Sequence, residues 1–167
     1  TNLATPSAGT GPDADHTSGT GRFVFLEASA CFNRVAKMST PCISLAGVQL
    51  PVLEFWYHMY GADMGSLSVD VLANGELFSN VFQENGDKGN AWRMGQVNLN
   101  GFVGKNITII FRGVTGGNFA SDLAIDDIRV YSAAVAPSAQ FTSSKSQDCI
   151  GKPITLSDRS INNPTSR

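Results

Sequence analysis

Long apolar runs are missing from this chain. The longest, around Val52-Leu53 and Phe55-Trp56-Tyr57, break within a few residues, far short of the roughly 20 that a membrane-spanning helix requires. We therefore expect no membrane insertion. Basic charge is scarce as well: 12 Lys+Arg against 14 Asp+Glu leave a net charge of -2, so a nucleic-acid backbone meets no positive footprint. Only 2 His and 3 Cys occur. Cys31, Cys42 and Cys149 do not fall at a C-x2-C spacing, which argues against a structural zinc. The chain has no G-x-S-x-G elbow, no H-E-x-x-H pair, no P-loop and no C-x-x-C redox motif. Catalysis has no visible machinery. No window sustains a helical period either, so helix should be nearly absent.

What remains is a chain of 167 residues, 42% hydrophobic, with 17 Gly and 7 Pro. That is enough for one good core plus a remnant. Short apolar stretches recur between turn signals at Phe23-Leu26, Val52-Met59, Ser66-Leu72, Val81-Phe82, Met94-Leu99, Ile107-Phe111 and Leu123-Tyr131. Ala73-Asn74-Gly75, Asn85-Gly86-Asp87 and Thr115-Gly116-Gly117-Asn118 supply turn residues that tolerate positive φ. Seven or more strands without a helical layer must bury themselves against a second sheet, which predicts an all-β sandwich of two antiparallel sheets. Side-chain alternation puts Phe55, Tyr57 and Met59 on one face of their strand and Trp56, His58 and Tyr60 on the other. Both faces look covered, as in a central strand.

Residues 1–10 read as a linker and 11–133 as the main domain. The small-residue stretch 134–138, ending Ala136-Pro137-Ser138, reads as a second linker. Residues 139–167 then hold two further alternating stretches, Ala139-Ser143 and Pro153-Asp158, too few to build a core alone. The chain opens on Thr1 with no signal segment and stops in mid-pattern at Arg167, so we read it as part of a longer protein. Cys31 and Cys42 flank a polar stretch, and a disulfide between them would close a short loop worth about 3 kcal/mol in the chain-entropy model. Two buried free thiols are the alternative. Cys149 is left odd, with its partner expected beyond Arg167. A real bridge implies an oxidising, extracellular compartment.

Four blocks stand in order: Gly11-Pro12-Asp13-Ala14-Asp15-His16-Thr17 followed by Gly21-Arg22-Phe23-Val24-Phe25-Leu26-Glu27, then Leu53-Glu54-Phe55-Trp56-Tyr57-His58-Met59-Tyr60-Gly61, then Gly89-Asn90-Ala91-Trp92, then Asp122-Leu123-Ala124-Ile125-Asp126-Asp127-Ile128. Together they closely resemble a MAM domain, the extracellular module of meprin, A5 antigen and receptor phosphatase mu. The resemblance implies a jelly-roll-like sandwich and a non-catalytic role in adhesion or recognition, binding protein or glycan at a cell surface or in the matrix, with self-association as one mode. The family's usual cysteine after the final strand is replaced by Ser132-Ala133, so its disulfides do not carry over. The tail resembles the start of a PKD domain, an immunoglobulin-like sandwich, through Ala139-Gln140-Phe141 and Cys149-Ile150-Gly151-Lys152-Pro153. That arrangement resembles secreted or surface proteins of bacteria, and its alternative reading is an accessory domain of a secreted metalloprotease.

Asp13, Asp15, Glu27, Asp122, Asp126 and Asp127 come from the first and last of these blocks. If the blocks are neighbours, several oxygens converge and a structural calcium ion would relieve their repulsion. Alternatively, Asp13 and Asp15 cap turns while Asp126 or Asp127 holds backbone amides near a bulge. His16 could ligate a metal or act as a base, or anchor a loop beside an aspartate; His58 reads as packed. Trp56, Tyr57, Tyr60 and Trp92 could stack on sugars, though core packing explains them more simply. Asn106-Ile107-Thr108 is a formal glycosylation sequon inside a strand pattern.

Overall fold

Inward-facing apolar side chains recur at every second residue along the central strands. In the central strand Pro51–Met59 (β4), Leu53, Phe55, Tyr57 and Met59 are buried, and in Ser66–Ala73 (β5) so are Leu67, Val69, Val71 and Ala73. The structure, a computed structural model, describes residues 4–133, 138, 140–144 and 153–161. The other strands are Val24–Leu26 (β1), Val35–Ser39 (β2), Ile43–Ser44 (β3), Glu76–Asn85 (β6), Arg93–Asn98 (β7), Asn106–Val114 (β8), Leu123–Ser132 (β9), Phe141–Ser143 (β10) and Leu156–Asp158 (β11). A single 3-10 turn at Asn100–Phe102 is the only helical element among the described residues.

One sheet runs β1-β9-β4-β7 and the other β2-β8-β5-β6, with β3 also paired to β8. All pairings are antiparallel. The expected two-sheet all-β sandwich is thus the observed fold. Between the sheets, Phe55 stands edge-on to Phe111 and Phe82 at centroid distances of 5.0 and 5.1 Å, a geometry that aligns ring edges with ring faces. Gly95 lies against Phe55: a Cβ there would fall 2.5 Å from the ring. The β5–β6 hairpin turns on Asn74 and Gly75, at φ 51° and 86°, as the sequence pattern predicts for a two-residue primed turn.

Strands β2 and β3 escaped the sequence reading. Their residues are exposed or half-buried and lack apolar alternation, and they are strands because β8 offers them an edge. Their placement also corrects the Cys31–Cys42 disulfide. The Cys31 carbonyl accepts a hydrogen bond from Thr115 beyond one end of β8, whereas Cys42 precedes Ile43, which pairs with Ile107 at the other end. At about 3.3 Å per residue those ends are roughly 25 Å apart, and a disulfide needs Cα atoms within about 7 Å. Both thiols are free and exposed, so the buried-thiol alternative fails too. Cys149 lies outside the described residues.

The chain divides into two compact units, 1–133 and 134–167. In the second, β10 pairs with β11 antiparallel, Phe141 opposite Asp158, and Phe141 and Leu156 stay 72% and 65% exposed. This hairpin has no buried core among the described residues. No helix among the described residues is long and apolar enough to cross a membrane.

Candidate functional site

The segment expected as a linker is tied into the sandwich, most deeply through the Thr10 hydroxyl. Thr10, 4% exposed, donates from Oγ1 to the Tyr60 carbonyl at 2.8 Å and accepts from the Asp122 amide at 2.8 Å, while the Gly11 amide also reaches the Tyr60 carbonyl at 3.1 Å. The N-terminal loop is thereby threaded past the ends of β4 and β9. It brings the two acidic blocks close, but not into one cluster.

The six carboxylates instead separate by partner. Asp15 caps its own turn, accepting from the Ser18 amide at 2.8 Å, the Ser18 hydroxyl at 2.9 Å and the Gly21 amide at 2.7 Å. The Ser18 amide leads these in holding its carboxyl below the usual carboxylate range against the opposing effect of burial. Asp126 holds backbone amides, that of Asp127 at 2.8 Å and that of His16 at 3.0 Å. It does so at a bulge: β4 shifts register against β9 between Glu54 and Trp56, and Asp127 there adopts φ 47°. Asp13 is exposed. No group of three or more His, Cys, Asp or Glu able to hold a metal ion occurs among the described residues.

Glu27 and Asp122 make a distinct pair. Asp122 is fully buried, and its Oδ1 accepts from the Ala28 amide at 2.8 Å. Glu27 Oε1 accepts from Ser7 at 3.1 Å and from the Ser29 amide at 3.0 Å. The remaining oxygens, Asp122 Oδ2 and Glu27 Oε2, are buried without a hydrogen-bond partner. Burial first, and the Glu27 charge after it, push the Asp122 carboxyl up to about 6. Burial also opposes the Glu27 charge, but hydrogen bonds led by the Ser29 amide outweigh it and hold Glu27 below its ordinary value. The two carboxyls also interact with each other, and the Thr5 and Ser7 hydroxyls stand beside them.

His16 anchors the loop to the outer face of the four-stranded sheet. Its ring stacks on Trp56 at 3.6 Å between centroids, and its Nδ1 meets Asp127 Oδ2 at 2.8 Å. The Thr17 hydroxyl donates to that same Asp127 oxygen and approaches the same Nδ1. A nucleophilic relay needs hydroxyl and carboxylate on opposite ring nitrogens; here both meet one, which fits a pin and not a catalytic triad. His58 is 2% exposed, meets Asn90 through Nε2 at 3.0 Å, and is held below its ordinary pKa chiefly by burial. Of the four aromatic candidates only Tyr57 enters the core; Trp56, Tyr60 and Trp92 are half-buried outside it, with the Trp92 indole donating to the Ala14 carbonyl at 3.1 Å.

Sequence reasoning missed Glu54. It points outward from β4, 6% exposed, and accepts from Gln96 of β7 at 2.8 Å and from Arg129 and Tyr131 of β9 at 2.8 and 3.2 Å. These partners, Gln96 first, hold its carboxyl below the usual range. The available signal was a lone charge between the apolar Leu53 and Phe55.

Two antiparallel sheets, a hydroxyl-pinned entry loop and polar side chains on an outer sheet face define a jelly-roll-like β-sandwich module. The chain matches the family described as MAM domain, meprin/A5/mu, over residues 2–135, and it belongs to that family. It is 37% identical over 128 residues to thyroid hormone-induced protein B of Xenopus laevis, a match covering 74% of this chain and 18% of that protein. It is 34% identical over 130 residues to neuropilin-1a of Danio rerio, covering 75% and 14%. With MAM domain-containing glycosylphosphatidylinositol anchor protein 1 of Rattus norvegicus it shares 35% over 128 residues, covering 73% and 13%. The chain thus spans less than a fifth of the length of these relatives.

Proposed function

We propose that this chain is a non-catalytic, extracellular recognition module that mediates adhesion by binding protein or glycan at a cell surface. The observation carrying this reading is the pairing of MAM membership over residues 2–135 with a rigid sandwich whose polar surface groups are fixed by one another. Groups preorganised on a rigid scaffold lose little entropy on binding. We read the exposed β10–β11 hairpin as the start of a second β-domain of the PKD type. Calcium belongs to the same proposal: Glu27 and Asp122 would hold it through their two orphaned oxygens, and it would supply the charge that lets Asp122 ionise.

Beads coated with the 167-residue chain test the adhesive reading. Aggregation in calcium, matched by concentration-dependent self-association in sedimentation, supports homophilic adhesion. Capture by cell-surface protein or glycan with a monomeric chain supports the heterophilic form. A chain that neither self-associates nor binds cell surfaces or matrix refutes it.

A further inference from the structure

The bulge in β9 does something a regular strand does not. Successive strand residues point to opposite faces, yet Asp127, Ile128 and Arg129 all line one cleft on the outer face of the four-stranded sheet. The extra residue at Asp127, φ 47°, is what breaks the alternation. Trp56 and Glu54 of β4 complete the floor, and His16 of the pinned loop closes one wall. The cleft holds about 440 Å³, within the range of small-ligand sites, roughly 300–1,000 Å³.

Its charged side chains already have protein partners. Arg129 lies against Glu54 in an ion pair, while the Asp127 carboxylate takes His16 and Thr17. A cationic ligand therefore finds the carboxylates already engaged, and an anionic one meets Glu54 and Asp127. Hydrogen-bonding capacity remains all the same: Arg129 Nη1, His16 Nε2 and Asp127 Oδ1 have no protein partner among the described residues. Beside them stand a half-buried indole and Ile128, 36% exposed. The His16 ring covers one indole face, so the cleft presents the uncovered side of Trp56 and Ile128 beside planar donors and acceptors, a pairing that suits a sugar ring, which offers a C–H face and vicinal hydroxyls at once.

We propose that this cleft binds a neutral hexopyranose unit of a glycan, with Trp56 against the ring and Asp127 and Arg129 on its hydroxyls. The proposal rests on the recognition-module reading and names its site. The test is titration of the 167-residue chain, isotope-labelled, with glucose, galactose, mannose and N-acetylglucosamine and with neutral oligosaccharides built from them. Saturable amide shifts confined to His16, Trp56 and residues 127–129 are expected for at least one sugar, with a millimolar Kd. Asp127→Asn and Trp56→Phe should each weaken that binding about tenfold or more while the amide spectrum stays that of the folded domain. No saturable shift up to about 100 mM sugar, shifts mapping elsewhere, or binding unaltered by both variants would overturn it. Should a variant misfold, the wild-type shift map alone decides. Bead aggregation without sugar binding would sink this proposal and leave the recognition reading standing.

Discussion

Asp122→Asn should make this domain more stable in the absence of calcium and insensitive to calcium in its presence. The Asp122 carboxyl stands at about 6 in the folded chain against 3.8 unfolded, so the folded state binds its proton more tightly. The stabilisation from that proton is fully present below about pH 4 and is lost as pH rises through about 6. Two pKa units correspond to an upper limit of about 3 kcal/mol, and to roughly 1.5–2 once screening by nearby solvent is allowed for. An asparagine keeps the acceptor for the Ala28 amide and turns the orphaned Oδ2 into a donor facing Glu27, whose Oε2 is orphaned too. At pH 7.5 in chelator the variant should therefore melt about 5 °C above wild type, and the gap should close toward pH 4. Calcium at 2 mM, if bound with a Kd near 0.1 mM, should stabilise wild type by about 1.8 kcal/mol and the variant by almost nothing. Melting curves at four pH values, each with chelator or calcium, read all of this. A variant less stable than wild type at pH 7.5 in chelator, or a gap independent of pH, refutes the electrostatic account. Equal calcium shifts in both proteins refute the site.

Gly95→Ala puts a methyl group into the Phe55 ring and should cost about 1–3 kcal/mol in denaturant unfolding; no loss would mean that Phe55 is free to move. Thr10→Val removes the hydroxyl shared by the Tyr60 carbonyl and the Asp122 amide, so a loss of about 2 kcal/mol is expected, along with faster amide exchange at Asp122. Asp70 on β5 holds the Arg112 guanidinium at 3.1 Å and the Asn80 amide at 2.8 Å, and although its burial pushes the other way, these partners keep its carboxyl below the ordinary value. Its contribution is present at neutral pH and fades as pH falls through the carboxylate range. Asp70→Asn should therefore destabilise by about 2 kcal/mol at pH 7, with less effect near pH 3, as paired melts would show. A maleimide reagent should label both Cys31 and Cys42 in the native, unreduced chain; labelling only after reduction would restore the bridge.

The sandwich was legible because core strands declare themselves. Leu53, Phe55, Tyr57 and Met59 alternate with outward residues, and the Asn74-Gly75 turn fixes where β5 reverses into β6. What stayed hidden depends on pairing across long separations. β2 carries Lys37 and Ser39 among exposed neighbours and becomes a strand only through Arg112 and Ile110 of β8, so the distance between Cys31 and Cys42 was invisible to spacing arguments. The sequence leaves open whether the acidic blocks are neighbours, and a one-residue bulge decides which carboxylates share a partner. It sends Asp126 to backbone amides and Asp127 to His16, and nothing in Asp126-Asp127 as a dipeptide tells the two apart.

Most buried polar groups here are satisfied, and that makes Glu27 and Asp122 informative. Glu54, 6% exposed, has every carboxylate oxygen occupied, and Asp70, 4% exposed, holds Arg112 and Asn80. The chain thus satisfies a buried carboxylate at two other places in the same sandwich. At Asp122 it keeps an acid where an amide of the same size would serve the Ala28 hydrogen bond without the ionisation cost. Residues that break a local rule at a stability cost mark the positions where function sets the choice. Ion binding would give that choice a reason, because only the ionised acid provides a charged ligand beside Glu27. Thr10 couples the pair to the rest of the loop: its hydroxyl touches the Asp122 amide and the Tyr60 carbonyl, and six residues further on His16 forms the wall of the outer-face cleft. A cation that stiffens Glu27 and Asp122 should therefore also slow amide exchange at His16 and Thr17. Exchange there that ignores calcium while Ala28 and Asp122 respond would separate the two sites.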